Sequence, residues 1–125
     1  GMFMDQFYEQ QCQVTELQKA LTVTATIVGR PGADRAIIDA GKKTLHVEYE
    51  PAIVVGRDDI VVDRFSAEHG ELQLSGDAQQ LKIGERIELV PGYADMTCVL
   101  HDFFYVFQGD TLVDIWPLEA RGLLQ

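Results

Sequence analysis

What most constrains this chain is its punctuation: from Leu21 onward, short apolar runs alternate with turn-forming residues, with no long uninterrupted segment. In "LTVTATIV", Leu21, Val23, Ala25 and Ile27 alternate with Thr22, Thr24 and Thr26. That period of two belongs to a β-strand with β-branched residues on both faces. "GRPGAD" breaks it at residues 29–34, as Gly and Pro punctuate local structure. "RAIIDA" then leads to Gly41, "TLHVEY" to Pro51 and "AIVV" to Gly56. "IVVDRF", "GELQL", "RIELV", "CVL", "FFYVF" and "TLVDIW" complete the series. "QGD", between Phe107 and Thr111, reads as a hairpin turn with Gly109 supplying the positive φ. Such a series predicts an all-β fold of about seven to nine strands, a sandwich or a small closed or partly open β-barrel.

The first segment breaks the pattern. "FMDQFYEQQCQVTELQK" places aromatics at Phe3, Phe7 and Tyr8 ahead of a Gln/Glu-rich stretch without turn residues. It predicts a short helix or an irregular arm. Isolated short helices are marginal in water, so these aromatics require a surface to dock on. Gly1 ahead of Met2 reads as the scar of a cleaved tag and takes no part in the argument.

At 125 residues the chain is long enough for one domain with a real core. Ten basic against twenty acidic side chains give a net charge of −10. That charge repels nucleic acids and anionic lipid, and no Lys/Arg cluster reverses it locally. Neither a nucleic-acid nor a membrane partner is expected. Cys12 and Cys98 are too few for a disulfide framework or a zinc knuckle. With no secretory or membrane-spanning segment in view, a reduced cytoplasmic protein is the default expectation. P-loop, G-x-G-x-x-G and G-x-S-x-G signatures are absent, and His46, His69 and His101 show no metal-ligand spacing. His46 reads as a structural residue of an alternating strand, and Glu68-His69 as a polar turn. "PGYADMTC" is the segment richest in chemistry: on extended backbone Tyr93 and Asp95 project to the same side.

Taken in order, "KALTVTATIVGRP", "AIIDAGKKTL", "SAEHGEL", "IGERIELVPGYADMTCVLHDFFYV" and "TLVDIWPLEARG" resemble the C-terminal domain shared by D-threonine aldolases and eukaryotic-type D-serine dehydratases. These are pyridoxal-phosphate enzymes related to alanine racemase. The resemblance runs from Lys19 to Gly122; single pieces are common, but the ordered set is specific. "MFMDQFY" is similar to the segment by which the family's barrel leads into this domain. The resemblance therefore implies an arm over residues 1–19, the remnant of that link, and a dehydratase-like β-domain over residues 20–125. A TIM-like barrel holding pyridoxal phosphate through a Schiff-base lysine would be a separate or missing part. Lys19, Lys42, Lys43 and Lys82 match no cofactor-lysine motif, so the chain alone is expected to bind no cofactor.

In the family, a histidine and, two residues later, a cysteine or aspartate hold a divalent metal, zinc or manganese, that polarises the substrate's β-hydroxyl. Asp95 matches the aldolase-type acid, while the histidine position is Tyr93. A phenol is a poorer ligand than imidazole at neutral pH; Tyr93 is instead the candidate catalytic acid or base. Glu68 and His69 are the candidate substrate contacts, and Trp116 reads as core. Three functions follow as expectations. The first is a non-catalytic domain closing the active site of a D-amino-acid aldolase or dehydratase. The second is a stand-alone oligomerisation or small-ligand module, and the third a small metal-dependent enzyme built on Asp95, His69 and His101. Apolar surface left without its barrel, with Phe3, Phe7 and Tyr8 adding to it, predicts a homo-oligomer.

Overall fold

The computed structural model describes residues 3–123. It contains eight strands: β1 (Val23–Gly32), β2 (Arg35–Ile38), β3 (Ile53–Val54), β4 (Ile60–Phe65), β5 (Gly70–Leu74), β6 (Arg86–Val90), β7 (Phe103–Gln108) and β8 (Thr111–Pro117). The first six form one antiparallel sheet in the order β3-β6-β1-β2-β5-β4. Its two edge strands, β3 and β4, curl back against each other. The result is a mostly β, nearly closed six-stranded barrel, as the sequence pattern predicts. Among the described residues, no helix is long and apolar enough to cross a membrane.

The barrel interior follows from the alternation. Val23, Ala25 and Ile27 point inward from β1 while Thr24 and Val28 face out. Ile38, Leu72 and Leu89 arrive from β2, β5 and β6, each with no exposed surface, and pack with Ile27 and Leu45. Burying such side chains supplies about 1.5–3 kcal/mol apiece. β1 outruns the expected break at Gly29. It continues through Pro31 to Gly32 by way of two register shifts, so the hairpin turn falls at Ala33-Asp34. Bulges of this kind let a proline and glycines sit inside a strand.

Several readings need correction. "TLHVEY" is not a strand: residues 44–50 form an irregular loop, in which Leu45 alone is fully buried. "CVL" is not a strand either, because Ala94–Cys98 forms a short helix, α2. Position 41, just after "RAIIDA", is glycine because a Cβ there would fall 2.5 Å from the Glu68 carbonyl carbon and the His69 nitrogen. Trp116 is no core residue: it lies half exposed on β8, its indole N–H donating to Asp114. Its hairpin, β7–β8, forms a two-stranded sheet of its own with Gly109 at φ 58° in the turn.

The arm carries a one-and-a-half-turn helix, α1 (Gln6–Gln10). Docking is what makes so short a helix persist. Phe3 meets Phe104 of β7 edge-on at 5.3 Å between ring centres. Phe7 packs on Tyr49 and Tyr93, each at 5.2 Å. These aromatics thus rest on the chain's own surface and do not add to its exposed patch; Met2 lies outside the described residues.

Candidate functional site

The site is built where β6 ends. Pro91 stops the strand, and its carbonyl accepts from the Gln6 N–H while Gly92's accepts from the Phe7 N–H at 2.9 Å. Position 92 must be glycine, since a Cβ there would overlap the Glu50 carbonyl oxygen. Tyr93 follows with extended backbone, φ −140° and ψ 112°, as the N-cap of α2. Below it sits Asp5, a carboxylate with no exposed surface. One of its oxygens accepts from the Ala94 N–H at 2.6 Å and the other from the Tyr8 N–H at 2.8 Å. One side chain thereby satisfies an orphan amide at the start of each helix and ties the arm to the site loop. Thr97, also buried, donates to the Tyr93 carbonyl at 2.8 Å and accepts from the His46 N–H at 3.2 Å.

Around this frame the side chains of Phe7, Tyr8, His46, Tyr49 and Tyr93 converge. Tyr93 lies 5.1 Å from Tyr49, 6.1 Å from His46 and 6.3 Å from Tyr8, ring centre to ring centre. The Tyr93 hydroxyl approaches Asp95 Oδ2 at 3.4 Å. The two side chains do project together, but through an N-cap followed by a helical turn, not along a strand. Burial, and then the Asp95 carboxylate, push the Tyr93 phenol above its ordinary value. Tyr8 is shifted the same way by the same two causes in the same order. Both are therefore protonated donors at neutral pH. Burial and Asp95 also push the Cys98 thiol up, which leaves it a thiol and a poor nucleophile. His46 Nε2 is buried without a hydrogen-bond partner among the described residues, and Glu48 stands 3.9 Å away.

The remaining predicted site residues lie apart from this cluster. Glu68 pairs with Lys43, and the Ser66 hydroxyl accepts from the His69 N–H, so local contacts hold that exposed turn. His101 Nε2 sits 2.9 Å from the Thr44 carbonyl. Asp102 pairs with Arg121. Among the described residues no three His, Cys, Asp or Glu side chains come within reach of one ion. Asp95, His69 and His101 therefore do not form the metal centre of the third expected function. The donor chemistry at Tyr93 and Asp95 points the same way: a phenol held protonated by its surroundings is a weak metal ligand. The sequence reading took His46 as a structural strand residue and Tyr8 as an arm aromatic in need of a docking surface, and it passed over Tyr49; it placed none of the three beside Tyr93.

Comparison with known proteins places this geometry. Residues 20–107 match the family described as "Putative serine dehydratase domain". D-threonine aldolase from Arthrobacter is 34% identical over 105 residues, which are 84% of this chain and 28% of that protein. An uncharacterized protein of Mycobacterium tuberculosis is 32% identical over 113 residues, 82% of this chain and 84% of that one. The crystal structure of D-threonine aldolase from Filomicrobium marinum superposes with a TM-score of 0.89 at 32% identity, covering 98% of this chain and 35% of that one. The chain thus spans about a third or less of the D-threonine aldolases it matches.

Proposed function

This chain belongs to the serine dehydratase domain family, and from that membership we propose that it closes the active site of a pyridoxal-phosphate enzyme of the D-threonine aldolase and D-serine dehydratase type. The barrel that holds the cofactor is not in this sequence, and the domain is not catalytic alone. The observation that carries the reading is agreement with a D-threonine aldolase fold over nearly the whole chain. The residues present do not fit the cofactor themselves. Lys19 is engaged by Glu9 and Lys43 by Glu68, while Lys42 and Lys82 are exposed. A Schiff-base lysine needs a desolvating or cationic pocket to activate its amine.

In this reading Tyr93 presents a protonated phenol to the substrate. Its single O–H, which points to Asp95 in the free chain, turns to the oxygen on the substrate's β-carbon and, as a hydrogen-bond donor, stabilises the negative charge that develops there as the hydroxyl proton leaves in aldol cleavage. Glu68 and His69, both exposed, supply the second substrate contact. The test is complementation. The chain is mixed with the barrel of the Arthrobacter D-threonine aldolase, expressed without its own matching domain, and acetaldehyde release from D-threonine is measured. Activity should appear only in the mixture and fall when Tyr93→Phe replaces the parent chain. Turnover by the chain alone, or a Tyr93→Phe mixture as active as the parent, would overturn the assignment. Tyr93→His should also raise zinc affinity in calorimetry by restoring the His-x-Asp pair.

A second reading rests on a different observation. The related Mycobacterium tuberculosis protein is matched over 84% of its length, so a domain of this family also occurs in a chain of about this size. In this second reading the present chain serves as a stand-alone oligomerisation or small-ligand module.

A further inference from the structure

His46 is a buried polar group that the reading above leaves unused. Its Nε2 is enclosed without a hydrogen-bond partner among the described residues, and such a group in a folded chain calls for an explanation. The residue is fixed to the frame of Tyr93. Its N–H donates to Thr97 Oγ1 at 3.2 Å, and that hydroxyl donates to the Tyr93 carbonyl at 2.8 Å. Fully buried Leu45 anchors the loop just before it. At the loop's other end the Glu50 carbonyl lies against Gly92. A buried donor without an acceptor is rarer than a buried acceptor without a donor, which puts the lone pair on Nε2 and the N–H on Nδ1. Of the neighbours, Asp5 is committed to two backbone amides and Asp95 accepts from the Tyr93 hydroxyl. Tyr8, Tyr93 and Cys98 keep their protons at neutral pH.

We infer that His46 Nε2 is the general base that takes the proton of the substrate's β-hydroxyl while Tyr93 donates to the same oxygen. The inference rests on the active-site reading above. One oxygen held by two hydrogen bonds spans about 5–6 Å between its partners, and the His46 and Tyr93 rings stand 6.1 Å apart. As the Cα–Cβ bond breaks, its electron pair stays with Cα, which the barrel's pyridoxal phosphate stabilises when bound. The O–H bonding pair becomes the second bond of the new carbonyl, and the proton passes to Nε2. Returned through solvent to Cα, it leaves an aldehyde and a shortened amino acid with no net change in protons. Glu48 Oε2, 3.9 Å from Nε2 on a side chain 80% exposed, supplies a screened counter-charge to the imidazolium. Tyr49 is the cover over this nitrogen. Its ring lies 5.8 Å from the imidazole at 37°, and its φ of 54° is left-handed backbone, an outlier for so bulky a residue. That ring is 65% exposed and outside the barrel core, so it can swing aside for a substrate without disturbing the fold.

Two measurements test the assignment. On the chain alone, long-range proton–nitrogen NMR at mildly alkaline pH should find His46 with its proton on Nδ1 and a bare Nε2. A proton on Nε2 overturns the inference whatever the activity. In the mixture with the Arthrobacter barrel, His46→Gln should lower kcat for D-threonine at least about a hundredfold, with KM within about twofold. Imidazole added to a His46→Ala mixture should restore part of the rate, which a purely structural role would not allow. Far-ultraviolet circular dichroism checks that both variants keep the fold, and if they lose it the tautomer of the parent chain decides. An active parent mixture that His46→Gln leaves as fast, or slows through KM alone, overturns this inference and spares the active-site reading. A parent mixture that releases no acetaldehyde overturns both.

Discussion

Replacing Asp5 by alanine should disturb the site from a distance along the chain, and its size can be worked from the contacts. The carboxylate is fully buried and accepts from two backbone amides, those of Ala94 and Tyr8. Ala94 has no exposed surface either, so water cannot replace the lost acceptor at its N–H. A buried donor left unsatisfied costs about 1–3 kcal/mol. Loss of the α1 N-cap adds about 1 kcal/mol. Against these stands the recovered desolvation of the carboxylate, which lowers the net penalty. We expect about 2–3 kcal/mol for Asp5→Ala, a large share of the ~5–15 kcal/mol of a typical domain.

Serine at the same position separates the two roles. Its hydroxyl can cap Tyr8's amide but is too short to reach Ala94's as well, so Asp5→Ser should show roughly half the loss. Urea unfolding gives the free energies, and near-ultraviolet circular dichroism follows the packed rings of Tyr8, Tyr49 and Tyr93. Trp116 lies across from Phe104, on which Phe3 of the arm packs, so its fluorescence should change together with the tyrosine signal when the arm is released. An Asp5→Ala protein within about 0.5 kcal/mol of the parent, the range of ordinary surface changes, with its tyrosine signal intact, would refute the reasoning.

Other perturbations follow from the same structure. Gly92→Ala should destabilise by more than about 2 kcal/mol in urea unfolding, because its Cβ collides with the backbone of Glu50, which cannot swing aside. Spectrophotometric titration should find Tyr8 and Tyr93 ionising later than free tyrosine, and Tyr93→Phe should remove one of the late steps. Their folded values are raised, so the stability they contribute is complete below the ordinary tyrosine range and is lost as pH climbs through the folded values. Glu71 has the opposite sign: Arg64 first and then Arg35 hold its carboxyl below the usual range. Its contribution is present above the ordinary carboxylate value and disappears as pH falls through the lowered one, so Glu71→Gln should flatten the acid limb of the stability profile.

Which parts of this architecture could be read in the sequence depended on the range of the interactions that decide them. β1, β2, β4, β5 and β6 were legible because alternation in "TVTATI" or "GELQL" is local and matches a half-buried strand. "TLHVEY" carries the same local signal, yet it is a loop. There the decisive contacts are distant: the His46 amide bonds to Thr97, and Tyr49 packs on Phe7 and Tyr93. "CVL" failed for a related reason, since α2 starts on a cap from Asp5, 89 positions away. The site follows suit. Tyr93 and Asp95 were found because they are two residues apart, whereas Tyr8, His46 and Tyr49 reach Tyr93 only through the docked arm and the misread loop. The Tyr93 phenol draws its protonated state from burial before it draws it from Asp95. Its chemistry therefore belongs to the packing of the arm as much as to the "PGYAD" motif, and releasing the arm should bring its ionisation back toward that of free tyrosine.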